Sequence, residues 1–293
     1  AWVPEFQKMN ILVPLDQEMS DFEEVSSELL PSAMSTAQIK GSYYALALNT
    51  NTKIMFYNEE AFNDAGLSAP KTMDDMLAAA QKLSGTNANG QQVWGLDEPA
   101  LAGWNVLPYN GGEITDENYT KATGYLNSEA TVNAVKMLAD MYKNSEFTGF
   151  NSGDIPMTDG FGTGRYMMLL EGPWKTSELA GAYPDFKYAT CEVPAGSAGS
   201  ISVLGGEDIA MFNTANKEGA WKFMKFMTSD FAEEEMAKCG QIPVNKEALD
   251  SDVVANADYA PFLDAITTAK ARPPVASWSE IDNDLTTAMT SII

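Results

Sequence analysis

"GSYYALALNTNTKIMFYNEEAFNDAGLSAPKTMDDMLAAAQKLS" runs from Gly41 to Ser84, and its reading decides the fold class. Two short apolar runs, Tyr43 to Leu48 and Lys53 to Asn58, have the length and composition of buried strands. The polar tetrapeptide NTNT, 49–52, separates them. Thr72 then reads as an N-cap with Asp75 three residues on, and Met73, Met76, Leu77, Ala80 and Leu83 make one apolar stripe. Strands that give way to an amphipathic helix within one stretch argue for an α/β protein.

The same alternation continues outward. Further strands are expected at Tyr166 to Leu170, Tyr188 to Val193 and Ile209 to Phe212. Ser128 starts a helix expected to carry Val132, Val135, Leu138 and Tyr142 inward, and Asn216 starts another with Ala220, Phe223, Met224 and Met227. The intervening loops are dense in glycine, asparagine and proline, and no internal repeat, heptad array or low-complexity tract interrupts them. At roughly 100 to 200 residues per domain, the 293-residue chain is expected to hold two.

Composition excludes several kinds of chemistry. There are 41 acidic and 18 basic residues, a formal net charge of −23, and such a field repels phosphate backbones, so no nucleic acid partner is expected. The chain has no histidine, which removes serine–histidine and cysteine–histidine catalysis and the commonest zinc ligand. Two cysteines, Cys191 and Cys239, are too few for a disulfide scaffold or a four-cysteine metal site. No run approaches the roughly 18 to 20 apolar residues of a transmembrane helix.

Three short patterns carry no function. GFGTGR, Gly160 to Arg165, lacks the GK[ST] ending of a phosphate loop and precedes a strand instead of following one. DND, Asp282 to Asp284, lacks the glycine and distal glutamate of a calcium loop. NYT, Asn118 to Thr120, matches a glycosylation acceptor by letter only. The six tryptophans say more. Trp94 and Trp221 lie within expected elements and read as core. Trp2, Trp104, Trp174 and Trp278 sit beside Pro, Gly, Asn or Ser at element edges, where flat aromatic faces suit sugar rings; half-buried packing is the competing reading.

The order of segments resembles a known family. WVPEFQKMNILVPLDQ, the Gly41 to Ser84 stretch, LNSEATVNAVKMLADMY, EGPW, VPAGSAGSISVLGGEDIAM, NKEGAWKFMKFMTS and RPPVASWSEIDNDL follow one another as in extracellular solute-binding proteins of sugar-importing ABC transporters, of the maltose-binding-protein-like type. The resemblance implies a type II, two-lobed α/β fold, each lobe a sheet flanked by helices, with ligand in the cleft and closure on binding. It implies a first lobe from 1–48 and 209–262, a second from 53–204 and 265–293, and crossings near 49–52, 205–208 and 263–264. The first lobe is expected to be incomplete, because the family's first strands and helix, with its leader and any lipid-anchoring cysteine, would precede Ala1. The usual proline of the strand after YAL is Ala47 here.

Carried over position by position, Trp174 in GPW and Trp278 in PVASW match cleft aromatics that stack on sugars. Asn51 falls where relatives place a polar, often acidic, group. Glu98 and Trp104 fall in a segment that often contributes a polar group and an aromatic, and Trp2 lies beyond a strand end that reaches the ligand in relatives. Gly206, Glu207 and Asp208 sit at a crossing, where glycine permits close backbone approach and carboxylates accept sugar hydroxyls. The implied partners are a carbohydrate and the membrane permease, for a monomeric bacterial protein in the periplasm or anchored to the cell surface as a lipoprotein. No cofactor, metal or catalytic residue is expected. Two other functions stay open at the level of sequence: the same fold binding a polyamine or other cation through Glu98, Glu207 and Asp208, and a glycosidase built on paired carboxylates.

Overall fold

The computed structural model describes residues 2–97, 106–143, 155–213, 216–256 and 259–292. Its main elements, in chain order, are β1 (Ala45–Ala47), β2 (Ile54–Asn58), α1 (Met73–Leu83), α2 (Glu129–Lys143), β3 (Met168–Glu171), α3 (Trp174–Ala182), β4 (Tyr188–Cys191), β5 (Asp208–Ala210), α4 (Lys217–Met227), α5 (Asp230–Ala237), α6 (Ala260–Ile266) and α7 (Trp278–Ile292). They divide between two compact units. The first comprises Ala1–Asn51, Leu204–Tyr259 and Ala271–Ile281, and the second Thr52–Val203, Ala260–Lys270 and Asp282–Ile293.

In the first unit β1 pairs antiparallel with β5, Leu46 opposite Ile209 and Ala47 opposite Asp208. The core beneath them gathers Val13, Leu15, Phe22, Leu29, Leu46, Met211, Trp221, Met224 and Val244. Burying Trp221 would strand its polar atom, and Asp21 prevents that: the indole Nε1–H donates to Asp21 Oδ1 at 2.7 Å. Lys225 Nζ, one turn further along α4, meets Asp21 Oδ2 at 2.5 Å. These hydrogen bonds, from Lys225 first and Trp221 second, hold the Asp21 carboxyl below its ordinary range.

In the second unit β2 is the middle strand, antiparallel to β3 on one side and β4 on the other. Ile54, Met55 and Phe56 are all fully buried, which explains an unbroken apolar run where a half-exposed strand would alternate. Phe262 of α6 closes on Phe56 with ring centroids 6.1 Å apart. The capping box on α1 is complete, Thr72 accepting from Asp75 N–H and Asp75 from Thr72 N–H. Gly95 is required beside it, since a Cβ there would lie 2.0 Å from the Ala80 carbonyl oxygen.

Two helix faces depart from expectation. α2 buries Thr131, Ala134, Leu138 and Met141, while Val132 is exposed. Val132 and Val135 line a surface groove with Leu126 and Ile292 instead. The side chain of Tyr142 lies outside the described residues. On α4 the buried positions are Trp221 and Met224, with Ala220 packed against the same core, and of the expected stripe it is Phe223 that is exposed. Cys191 sits on β4 and Cys239 follows α5, each a free thiol and each in a different unit. Burial pushes the Cys191 thiol up to about 12.

Candidate functional site

The corner of the second unit around Trp174 is built by strand register. Ile54 lies opposite Glu171 across β2 and β3, so Lys53, one residue ahead of β2, is brought beside the point where β3 ends. Gly172 and Pro173 stop the strand there, because proline has no N–H for a ladder, and Trp174 opens α3. Glu171 is 8% exposed. Its Oε1 accepts from Gly172 N–H at 2.8 Å and meets Lys53 Nζ at 3.1 Å. Lys53 is itself fixed, its N–H donating to Ser202 Oγ at 3.2 Å and its carbonyl accepting from the same hydroxyl at 2.7 Å.

The indole of Trp174 lies over Gly172. A Cβ at position 172 would stand 2.3 Å from the ring, so only glycine leaves room for it. Trp174 is half-buried. The first turn of α3 is anchored from below by Lys175, which is buried and donates to Thr158 Oγ1 at 2.6 Å and to Glu178 Oε2 at 2.5 Å. Burial pulls the Glu178 carboxyl up, and hydrogen bonds from Lys175 and Thr158 outweigh it, leaving the group below its ordinary range. Thr176 and Ser177 do not cap the helix; their hydroxyls donate back to the carbonyls of Pro173 and Trp174.

In the first unit, Asn51 and Gly205 exchange backbone hydrogen bonds at 3.3 and 2.8 Å. The Asn51 side chain covers Gly205, where a Cβ would fall 2.0 Å from its Oδ1. Gly206 adopts φ +136, and a side chain there would also strike the Asn49 carbonyl. Glu207 keeps an exposed side chain while its N–H donates to Asn49 Oδ1 at 3.2 Å. Asp208 begins β5, half-buried, and accepts from Thr36 Oγ1 at 2.9 Å. Burial raises its carboxyl above the ordinary range despite that bond.

Of the remaining sequence candidates, Trp2 is 64% exposed just ahead of the short helix Val3–Lys8. Trp278 is 3% exposed as the first residue of α7, so it packs inward and offers no open face at a loop edge. Glu98 and Trp104 lie outside the described residues. Lys53 and Glu171 were absent from the sequence candidates. Their pairing follows from the β2–β3 register, which no local pattern encodes.

With this geometry in hand, comparison with known proteins identifies the family. Residues 1–261 match the model of the bacterial extracellular solute-binding proteins, and the chain belongs to that family. It is similar to a putative binding protein of Brucella abortus, 29% identical over 99% of this chain and 72% of that protein. The periplasmic sn-glycerol-3-phosphate-binding protein UgpB of Escherichia coli is 28% identical over 72% of this chain and 51% of its own length. Among solved structures, an ABC transporter solute-binding protein from Thermotoga lettingae, bound with α-D-tagatose, superposes with a TM-score of 0.85 at 25% identity, covering 99% of this chain and 77% of that one. The fold is the two-lobed α/β fold of such binding proteins, and the chain is a solute-binding protein rather than an enzyme.

Proposed function

We propose that this chain is the substrate-binding component of an ABC importer that takes a sugar or oligosaccharide outside the cytoplasmic membrane and delivers it to the permease. The observation that carries the reading is Trp174: a half-buried indole laid over a glycine at the end of a strand, next to charged groups. A sugar ring has an apolar C–H face for such an indole and hydroxyls for the polar edge. Asn51, Gly206, Glu207 and Asp208 supply acceptors and close backbone approach at the crossing segments of the first unit. Trp2, Glu98 and Trp104 remain candidates for contacts, whereas the burial of Trp278 suits it to packing. The tagatose complex of the Thermotoga lettingae relative supports a carbohydrate.

Thermal-shift screening of the purified chain against a carbohydrate panel tests this, because a ligand that prefers the native state raises the melting temperature. At least one neutral sugar is expected to do so, with weak dependence on salt. A response confined to polyamines, and lost as ionic strength rises, favours the cation reading carried by the exposed Glu207.

A further inference from the structure

We infer that Lys53 and Glu171 form a charge-cancelling pair that makes the Trp174 corner selective for neutral ligands over anionic ones; this rests on the reading of Trp174 as a sugar platform. Two lysines belong to the segments that build the Trp174 corner, Lys175 next to it on α3 and Lys53 against Glu171, and each is held by a carboxylate. Lys175 is 4% exposed and bonded to Glu178 and Thr158. Lys53 reaches the surface, its side chain 22% exposed, and lies 3.1 Å from Glu171. A free ammonium beside an aromatic platform would attract a phosphate or carboxylate group. An ammonium already at contact with a buried carboxylate presents little net charge, and the overall charge of −23 opposes anions further.

The pair also favours hydroxyls. Glu171 uses Oε1 for both Lys53 and Gly172 N–H. Its second oxygen makes no further hydrogen bond among the described residues, so it can accept from a ligand hydroxyl, a donor that a phosphate dianion lacks. The contrast matters because one relative is named for a phosphate ester and another holds an unphosphorylated sugar. On this inference the present chain falls with the second.

The test is isothermal calorimetry of the full chain and two substitutions against D-tagatose and maltose, sn-glycerol 3-phosphate, inorganic phosphate and spermidine. Unaltered protein should show no measurable heat with the two phosphates. Glu171→Gln keeps the shape and removes the negative charge; it should gain affinity for sn-glycerol 3-phosphate or inorganic phosphate by about tenfold or more. Lys53→Gln should do the reverse, gaining spermidine affinity that weakens with salt and gaining nothing for phosphate. Tight binding of sn-glycerol 3-phosphate by the unaltered protein overturns the inference, as does the absence of gain in both variants. If Glu171→Gln does not fold, the unaltered protein and Lys53→Gln decide the matter alone. If no sugar binds but the two variants gain their opposite ions, the charge-cancelling pair stands and the sugar reading falls.

Discussion

Each unit contains a tryptophan, a carboxylate and a lysine grouped together, and the two groups are put to different use. In the first unit Trp221 is 6% exposed, its N–H bonded to Asp21, its ring stacked on Phe22 at 6.5 Å, and Lys225 closes on the same carboxylate. The indole is buried with its N–H satisfied, while the Lys225–Asp21 pair lies partly exposed at its edge. In the second unit Lys53 and Glu171 satisfy each other, and the indole of Trp174 rests on a bare glycine with one side half-open. The same three residue types therefore make a core in one place and a platform in the other. What separates them is the position of the aromatic: Trp221 sits inside a helix on its buried face, and Trp174 at the first turn of a helix, after a strand has been stopped by Gly172 and Pro173.

The comparison breaks most decisively at Trp221. Trp221→Ala removes a buried aromatic and takes the indole donor from Asp21 Oδ1, leaving only Lys225 on that carboxylate, so chemical denaturation should register a loss of about 3 to 5 kcal/mol. Sugar affinity at fixed folded fraction should be unchanged. A stability loss smaller than that of Trp174→Ala would remove the distinction between core and platform.

Glu233 sharpens the comparison by showing a carboxylate that no lysine answers. It is fully buried on α5, Oε2 accepts from the N–H groups of Val244 and Asn245 at 2.6 and 2.8 Å, and Oε1 has no hydrogen-bond partner among the described residues. Burial pushes its pKa up to about 7, against the two backbone bonds. A raised folded-state value means that the stabilisation is fully present below the unfolded value of 4.5 and is lost as pH rises through about 7. The difference in stability between unaltered protein and Glu233→Gln should therefore shift by about 3 kcal/mol between pH 4.5 and pH 8, in favour of the unaltered protein at the acid end. Urea titrations of both proteins across that range measure it, and parallel pH profiles would contradict the assignment.

Trp174→Ala comes next in size and inverts the Trp221 result. It should cost about 2 kcal/mol in binding of whichever neutral sugar the thermal-shift screen identifies, and less in stability than Trp221→Ala. Calorimetry and denaturation of the same variant separate the two quantities. Unchanged affinity with a large stability loss would make Trp174 a second core residue.

The α/β class and the positions of the main strands were legible in sequence because buried strands here are short unbroken apolar runs, as at Ile54 to Phe56, and because Thr72 and Asn216 are chemically specific caps. Helix faces were less legible. A periodic pattern does not fix the centre of the inward face, and on α2 the expected Leu138 is buried while Ala134 and Thr131, not Val132, complete that face. Trp174 could be singled out from the chain-breaking Gly172–Pro173 pair alone. The Lys53–Glu171 pair could not, since its members stand 118 positions apart and only the strand register joins them. Trp278 shows what sequence neighbours leave out: it does stand at an element's edge, as the first residue of α7, but its burial is set by packing that the local pattern does not encode.

The smallest expected effect is the most specific to the platform. Gly172 has no positive φ, so alanine is allowed there by the backbone, and the atoms nearest the added Cβ belong to the indole, the first of them 2.3 Å away. Gly172→Ala must therefore tilt Trp174 off its seat while leaving its exposed area largely intact. Stability should fall by about 1 kcal/mol, at the low end of overpacking, and sugar affinity by a comparable amount. The double variant with Trp174→Ala decides whether the seat matters: once the ring is gone, the nearest obstacle to alanine at 172 is gone with it and the added methyl should cost no further affinity, a coupling visible as a departure from additivity. Strict additivity in calorimetry would mean that Gly172 acts on the ligand by itself, and that the position of the indole over it is incidental to binding.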